Sequence, residues 1–330
     1  MAVGPELIER FKDKRICVVG DVIADIYIYG RPHKLSREAP VVVIRYEEER
    51  ICPGSAGNTI SNLLSLGARV FPVGCIGRDE VGDRLVEQFS AWGEIDLGGL
   101  LRYEGRTVTK TRILAGDTHT SKQQVIRVDR EMETPLAPSL RRELRERLAR
   151  IAAEVDAIVL SDYEYGLIDP EMRALARAVA REKIVVGDSR YNLREYKGIT
   201  LITPNESEAY ALSGLGPGSS VEEVGSRIMD SMEVEALLVT RGNKGMALFE
   251  RDGSVSHIPI SGGDEIADVT GAGDTVAAAV TLALASGAGF YAASRIANCA
   301  AGVVVKKRGT AVVTAEELRE VMEKDGPMDS

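Results

Sequence analysis

Ala157-Ile-Val-Leu160, then an Ala-, Leu- and Arg-rich stretch over residues 170–182, then Lys183-Ile-Val-Val186: a short apolar run, a segment of helical length and period, and a second β-branched run. Continuous apolar runs suit strands buried on both faces, and two of them joined by a helix-length crossover lie parallel in one sheet. Outward from this unit the rhythm repeats. Arg15-Ile-Cys-Val-Val-Gly20 begins it, and Thr200-Leu-Ile202 and Ala236-Leu-Leu-Val-Thr240 continue it. Further helices are expected over residues 139–155 and 221–232, both rich in good helix formers. The fold class is therefore α/β: a doubly wound, mostly parallel sheet flanked by helices.

Two regions break the rhythm. Residues 25–50 and 102–130 alternate Thr, Val, Ile and Tyr with polar residues and have no helix-length apolar period. They are expected to pair as a small inserted β-sheet, a lid over the carboxyl ends of the main strands. Length alone allows one domain or two. No linker or repeat interrupts the chain, so residues 1–330 are read as a single domain.

The 41 basic and 50 acidic residues give a formal charge of −9, which disfavours nucleic acid and anionic membrane surfaces as partners. Residues 1–15 alternate charged and apolar side chains and have no secretory h-region. The most apolar stretch, 276–285, is shorter than the roughly 20 residues of a membrane span. A cytoplasmic location and a buried helix are the expectations. Cys17, Cys52, Cys75 and Cys299 are scattered and His is scarce, so neither a disulfide framework nor a zinc site is indicated.

The chemistry concentrates in Asp268-Val-Thr-Gly-Ala-Gly-Asp274, which opens into the apolar residues 275–285. A glycine turn entering a helix leaves backbone N–H groups at a positive dipole end, suited to a transferring phosphoryl group. Asp274 on the first turn can accept the proton of an attacking hydroxyl while the N–H groups of Gly271, Ala272, Gly273 and Asp274 bear negative charge. In isolation the same residues make an ordinary tight turn with a helix cap. A second small-residue segment, Cys52-Pro-Gly-Ser-Ala-Gly-Asn58, precedes another apolar helix, and Asn58 offers an amide to a hydroxylated ligand.

Together the two segments resemble the paired signatures of the ribokinase or PfkB carbohydrate kinases, in order and separation, across nearly the whole chain. Val19-Gly20-Asp21 with Asp25, Gly74-Cys-Ile-Gly77-Arg-Asp79 with Gly82, Thr203-Pro-Asn205-Glu-Ser-Glu208 and Thr240-Arg-Gly242-Asn-Lys-Gly245 resemble the same family. The resemblance implies a ribokinase-like fold, ATP as co-substrate and Mg²⁺. It implies sugar hydroxyls at Asp25, Gly54 and Asn58, and hydrated Mg²⁺ near Asn205 and Glu208. It also implies nucleotide at Thr240, Gly242 and Gly245, adenine near Asn298 and Ala301, and a monovalent cation, K⁺ in many members, at Asp268, Thr270 and Gly309. Family lids often pair between two subunits, which implies a homodimer.

Within the family, Leu35-Ser-Arg-Glu-Ala-Pro-Val41, Arg106-Thr-Val-Thr-Lys-Thr-Arg112, Gln123-Gln-Val-Ile-Arg127-Val-Asp129 and Leu160-Ser-Asp-Tyr163 resemble the D-glycero-D-manno-heptose 7-phosphate kinases of ADP-heptose synthesis. That implies cations for a phosphorylated sugar, supplied by Lys110, Arg112 and Arg127, with Asp162 and Arg190 at the substrate rim. Two positions depart from the subfamily pattern: Tyr165 and Arg190 stand where lysines are usual. Another sugar, sugar phosphate or nucleoside is the alternative acceptor. Outside catalysis the alternative is a sugar or nucleotide sensor, and no G-x-G-x-x-G follows the first strand to support a dinucleotide enzyme. The second nucleotide-binding region of bifunctional relatives is not seen, so phosphoryl transfer alone is expected.

Overall fold

A computed structural model describes residues 6–116, 122–132, 134–216, 218–261 and 267–325. Its strands are β1 Arg15–Gly20, β2 Val22–Leu35, β3 Val42–Ser55, β4 Arg69–Gly77, β5 Leu100–Tyr103, β6 Thr109–Ala115, β7 Gln123–Arg130, β8 Ala157–Asp162, β9 Ile184–Ser189, β10 Leu201–Ile202, β11 Ala236–Thr240, β12 Met246–Glu250 and β13 Val255–Ile258. Nine of them form one sheet in the order β13-β12-β11-β10-β9-β8-β1-β4-β5. It is parallel from β11 to β5, and β12 and β13 are added antiparallel at one end.

Alternate residues of the central strands feed two apolar layers. Ile16 and Val18 of β1 pack with Val276, Val280 and Leu284 on one face, while Cys17 and Val19 pack with Leu144, Leu148 and Ile158 on the other. The helix Ala272–Ala285 is buried at every position from Asp274 to Leu284, as expected of a helix apolar all round. It stops where Ser286 caps it and Gly287 takes φ 98°. No described helix is long and apolar enough to cross a membrane, and all four cysteines are free.

The chain leaves β1 toward β4 on one side and later builds β8 to β11 on the other. The strand order thus reverses between β1 and β8, and the crevice above their carboxyl ends is where an open α/β sheet takes a ligand.

The lid is a separate sheet in the order β3-β2-β6-β7. It differs from the expected 102–130 at its start: Leu100–Tyr103 pairs with β4 in the main sheet, so the second lid arm begins at Thr109. Residues 117–121 of that arm lie outside the described residues. The seam between the arms is parallel, with Asp25 beside Lys110 and Tyr27 beside Arg112. In β7, Asp129 and Arg127 continue those two rows. Because paired residues share a face, one face of the lid carries Asp25, Lys110 and Asp129 in one row and Tyr27, Arg112 and Arg127 in the next.

Candidate active site

A cavity of about 770 Å³ opens above the carboxyl ends of the strands, walled by Asp188 of β9, Thr203 after β10, Thr240 of β11, the loop 269–274 and the lid residues Asp25, Lys110 and Arg112. Asp274 is only 3% exposed, as deeply buried as Asp25. Its Oδ2 accepts the Asn58 amide N–H at 3.0 Å and its Oδ1 accepts the Tyr163 hydroxyl at 3.0 Å. Burial pushes its pKa up to about 7, against the lowering by these two hydrogen bonds; Asp25 raises it further and Lys110 opposes that. An Asp half-ionised near neutrality suits proton abstraction.

The turn beneath it depends on glycine. Gly271 has φ 79°, and a Cβ there would lie 2.4 Å from Asn58 Nδ2, which also donates to Gly271 O at 3.1 Å. Gly273 and Asp274 present N–H groups with no acceptor among the described residues, whereas Ala272 donates to Val269 O at 3.2 Å. Ala272 therefore leaves the expected set of anion-binding donors. Asp268 braces the loop from behind, its Oδ1 accepting Thr270 N–H at 2.9 Å and its Oδ2 Gly309 N–H at 3.0 Å. Burial raises the pKa of Asp268, but these hydrogen bonds outweigh it and hold the carboxylate below its usual range.

Asn205 and Glu208 form a capping box on the helix Glu206–Ser213: Glu208 N–H donates to Asn205 Oδ1 and Asn205 N–H to Glu208 Oε2, each at 2.9 Å. Both still line the cavity. Asp188, which sequence reasoning missed, faces the same space and accepts the Thr203 hydroxyl at 3.2 Å. Burial, then the neighbouring Asp274 and Glu208, push its pKa up to about 8. Burial also raises the pKa of Glu208. Carboxylates crowded until they retain protons are a donor set that a hard divalent cation neutralises. Its place at a strand end after Gly187 was the available signal for Asp188.

Other expected site residues are engaged by the protein itself or lie off the cavity. Asn58 is 1% exposed; its N–H groups serve Asp274 and Gly271 while Asn62 donates to its Oδ1 at 3.2 Å, so it orients the acid and offers no amide to the cavity. Gly54 leaves room for the Asp25 carboxylate, which a Cβ would meet at 2.5 Å. Asp162 points away from the cavity, into a buried cluster with the hydroxyls of Tyr196 at 2.6 Å and Ser189 at 3.3 Å. At the end of a strand successive side chains alternate in direction, and the next residue, Tyr163, takes the cavity side. Arg112 is committed to Asp25 at 2.5 Å, and Arg127 holds Asp129 through two bonds of 2.9 Å. Gly242 and Gly245 shape the turn from β11 to β12 and are not in the cavity lining. Asn298 donates to Pro259 O at 2.7 Å, and Ala301 packs against the core beyond the lining.

A second cavity of about 660 Å³ adjoins the first, and the two share Lys110, Tyr163, Arg190 and Tyr191. Arg127, Arg141, Tyr165 and Glu131 complete much of its wall. Lys110, Arg141 and Arg190 have no ion-pair partner within 4 Å among the described residues, and Arg141 Nε is buried without an acceptor. Burial lowers the pKa of Lys110; Asp25 and Asp129 oppose this, and Arg190 and Arg112 add to it.

A model of the family "pfkB family carbohydrate kinase" matches residues 13–317. The chain is 39% identical over 318 residues to "Bifunctional protein HldE" of Geobacter metallireducens, covering 94% of this chain and 64% of that protein. It is 40% identical over 307 residues to the protein of the same name from Geobacter sulfurreducens, covering 91% and 61%. The chain thus spans somewhat under two thirds of the length of these relatives. Among solved structures it is similar to the ribokinase of Arabidopsis thaliana complexed with ribose and ATP (TM-score 0.73, 20% identity, 94% of this chain and 99% of that one). It is also similar to phosphofructokinase-2 of Escherichia coli in complex with potassium (TM-score 0.78, 17% identity, again 94% and 99%). The fold is the ribokinase-like one, the family match runs through the lid and the loop that carries Asp274, and the chain belongs to the pfkB family of carbohydrate kinases.

Proposed function

We propose that this chain, acting as one kinase domain, transfers the γ-phosphoryl group of ATP to the anomeric hydroxyl of D-glycero-D-manno-heptose 7-phosphate, with Asp274 as general base. The observation that carries the acceptor is the second cavity: Lys110, Arg141 and Arg190, three cations without carboxylate partners among the described residues, line one space that opens from the Asp274 cavity. Asp129, Glu131 and Glu164 line the same cavity, but none pairs with these three cations within 4 Å, which leaves the cations to an anion, and a sugar with its reacting hydroxyl at Asp274 would extend its distal phosphate into that space. Tyr165 lines the same cavity where a lysine is usual in the subfamily. Burial pushes its pKa up to about 12, so it is a neutral donor, and Arg141 supplies the cation from the helix Pro138–Ala152 instead. The relatives named HldE, similar over this whole span, support the heptose reading.

In this mechanism Asp274 takes the proton of the acceptor hydroxyl, and the N–H groups of Gly273 and Asp274 meet the transferring phosphoryl group at the helix terminus. ATP lies on the side of Thr240, Asn205 and Glu208. Asn205 and Glu208, through water, with Asp188 across the cavity, would hold Mg²⁺, which would supply charge neutralisation on the phosphates. Asp268, Thr270 and Gly309 form the seat proposed for K⁺. The lid covers the acceptor against water, and a reaction drawing on ATP fits a cytoplasmic enzyme.

The test is ATP consumption with heptose 7-phosphate, the unphosphorylated heptose, fructose 6-phosphate, ribose and adenosine, with the phosphorylated position read by phosphorus NMR. Turnover of only another acceptor keeps the kinase and discards the heptose. Arg141→Ala and Lys110→Ala are each expected to raise KM for the sugar phosphate by roughly 10- to 100-fold, the worth of one charge-assisted hydrogen bond. The unphosphorylated sugar is expected to be unaffected by Arg141→Ala; an equal effect on both sugars would remove the phosphate from this cavity.

The lid strand β7 exposes Ile126 and Val128 by 52% each, and apolar side chains on a sheet edge favour pairing. We assign this edge to a homodimer interface. Light scattering is expected to give twice the chain mass, falling to the monomer in the double variant Ile126→Lys, Val128→Lys; a monomeric parent would refute it.

A further inference from the structure

Tyr163 stands where three parts of the molecule meet. Its backbone N–H donates to Asp21 Oδ2 at 2.9 Å, the N–H of Tyr165 reaches the same oxygen at 3.3 Å, and the N–H of Glu164 donates to Asp162 Oδ1 at 2.9 Å. Two buried carboxylates thus clamp the loop after β8 from either side. They hold it in a shape that puts Glu164 at φ 66°, the left-handed region that non-glycine residues enter at a cost. The side chain so fixed donates its hydroxyl to Asp274 Oδ1. The lid's Lys110 Nζ sits 5.0 Å from the centre of its ring, a cation–π distance. Burial, then the adjacent Asp274, raise its pKa well above the ordinary tyrosine value, so the hydroxyl stays protonated and acts as donor.

We propose that Tyr163 is a positioning residue for Asp274: its hydroxyl fixes one carboxylate oxygen while Asn58 fixes the other, and its ring seats Lys110, tying the set of the base to the lid. The inference rests on the reading of Asp274 as base and adds to it a residue that touches neither proton nor phosphate. A carboxylate held at only one oxygen can rotate about its terminal bond, and a reacting group misplaced by an ångström loses much of its advantage. The groups facing Asp274 are Asn58 from the helix Ala56–Ser65, Tyr163 after β8, and Lys110 and Asp25 from the lid, with Asp188 across the cavity. Removing the Tyr163 hydroxyl takes away one of the contacts that favour the charged form.

Tyr163→Phe keeps the ring, and with it the seat of Lys110. It is expected to lower kcat by roughly 10- to 100-fold, with KM for ATP within twofold of the parent, and to move the acid limb of the kcat profile to higher pH. Tyr163→3-fluorotyrosine, a stronger donor of the same shape, is expected to move that limb to lower pH, and it serves where the Phe variant fails to fold. The carboxyl ¹³C titration of Asp274, assigned by its loss in Asp274→Asn, reads the same shift without turnover. A titration midpoint and kcat unchanged in both Tyr163 variants would overturn the proposal. A midpoint that moves while the acid limb stays would overturn the base assignment beneath it and leave the tie between the two side chains standing.

Discussion

Asp274→Asn is expected to reduce kcat by roughly 10³-fold or more, because it removes the proposed proton acceptor while leaving its surroundings in place. The local hydrogen bonds can all be kept. Asn58 cannot turn its amide around, since Nδ2 also serves Gly271 O and Oδ1 takes the Asn62 N–H. The new side chain would therefore direct its oxygen at Asn58 and its amide at Tyr163, whose hydroxyl can accept as well as donate. The melting temperature is accordingly expected within a few degrees of the parent, and sugar and ATP binding by calorimetry within severalfold. A variant that folds, binds and retains the parental rate would end the assignment. The parent should show the same dependence through pH: with burial pushing Asp274 up to about 7, the ionised form of the proposed base is lost as pH falls through that value, and kcat/KM falls with it.

Gly271→Ala is the second large effect, and it acts without touching a titratable group. Alanine at φ 79° costs about 1–2 kcal/mol in backbone conformation. Its Cβ would also stand 2.4 Å from Asn58 Nδ2, inside any real contact distance. Asn58 has no retreat, lying in a helix buried from Ala56 to Leu64 and held by Asn62. Either the turn or the amide must move, and each carries Asp274 with it. We expect a loss of about 2–4 kcal/mol in stability and a fall in kcat on the order of 100-fold. Gly273→Ala is the control for stability: nothing lies within 4 Å of the added carbon, so denaturant unfolding should match the parent. Equal melting of the Gly271 variant and the parent would show that the turn is looser than its geometry implies.

What a sequence can say about this molecule divides along physical lines. The strand-helix alternation was legible because burial on two faces leaves a mark at every position of a strand, and Val221–Met232 is a helix over the same residues as its periodicity indicates. The glycine loop ending in Asp274 was legible because backbone N–H groups and a carboxylate are brought together within seven residues. Contacts across the fold were not. Asp162 and Tyr163 are neighbours in the chain, and only the strand's direction at its carboxyl end decides which of them reaches the cavity. The charges of Arg112 and Arg127 read as free in sequence, but cross-strand register gives each a carboxylate, Asp25 and Asp129. Arg141 enters the same cavity from a helix whose sequence looks like an ordinary charged surface. Asn58 was read as a ligand contact because its segment is polar and small; its amide is consumed by a residue 216 positions away.

The parallel seam of the lid bears on how the molecule reaches this state. Each arm, β2 with β3 and β6 with β7, is antiparallel, and β2 and β3 have only a short connection to close. The seam from Ala24 beside Thr109 to Gly30 beside Ala115 joins segments with β4, β5 and two helices between them. Such a pairing has a large loop-closure cost until the intervening chain is already compact. The lid is thus expected to form late in folding, after the half of the main sheet that brings its two arms within reach, and the cavity would gain its Lys110 and Arg112 wall only at that last step.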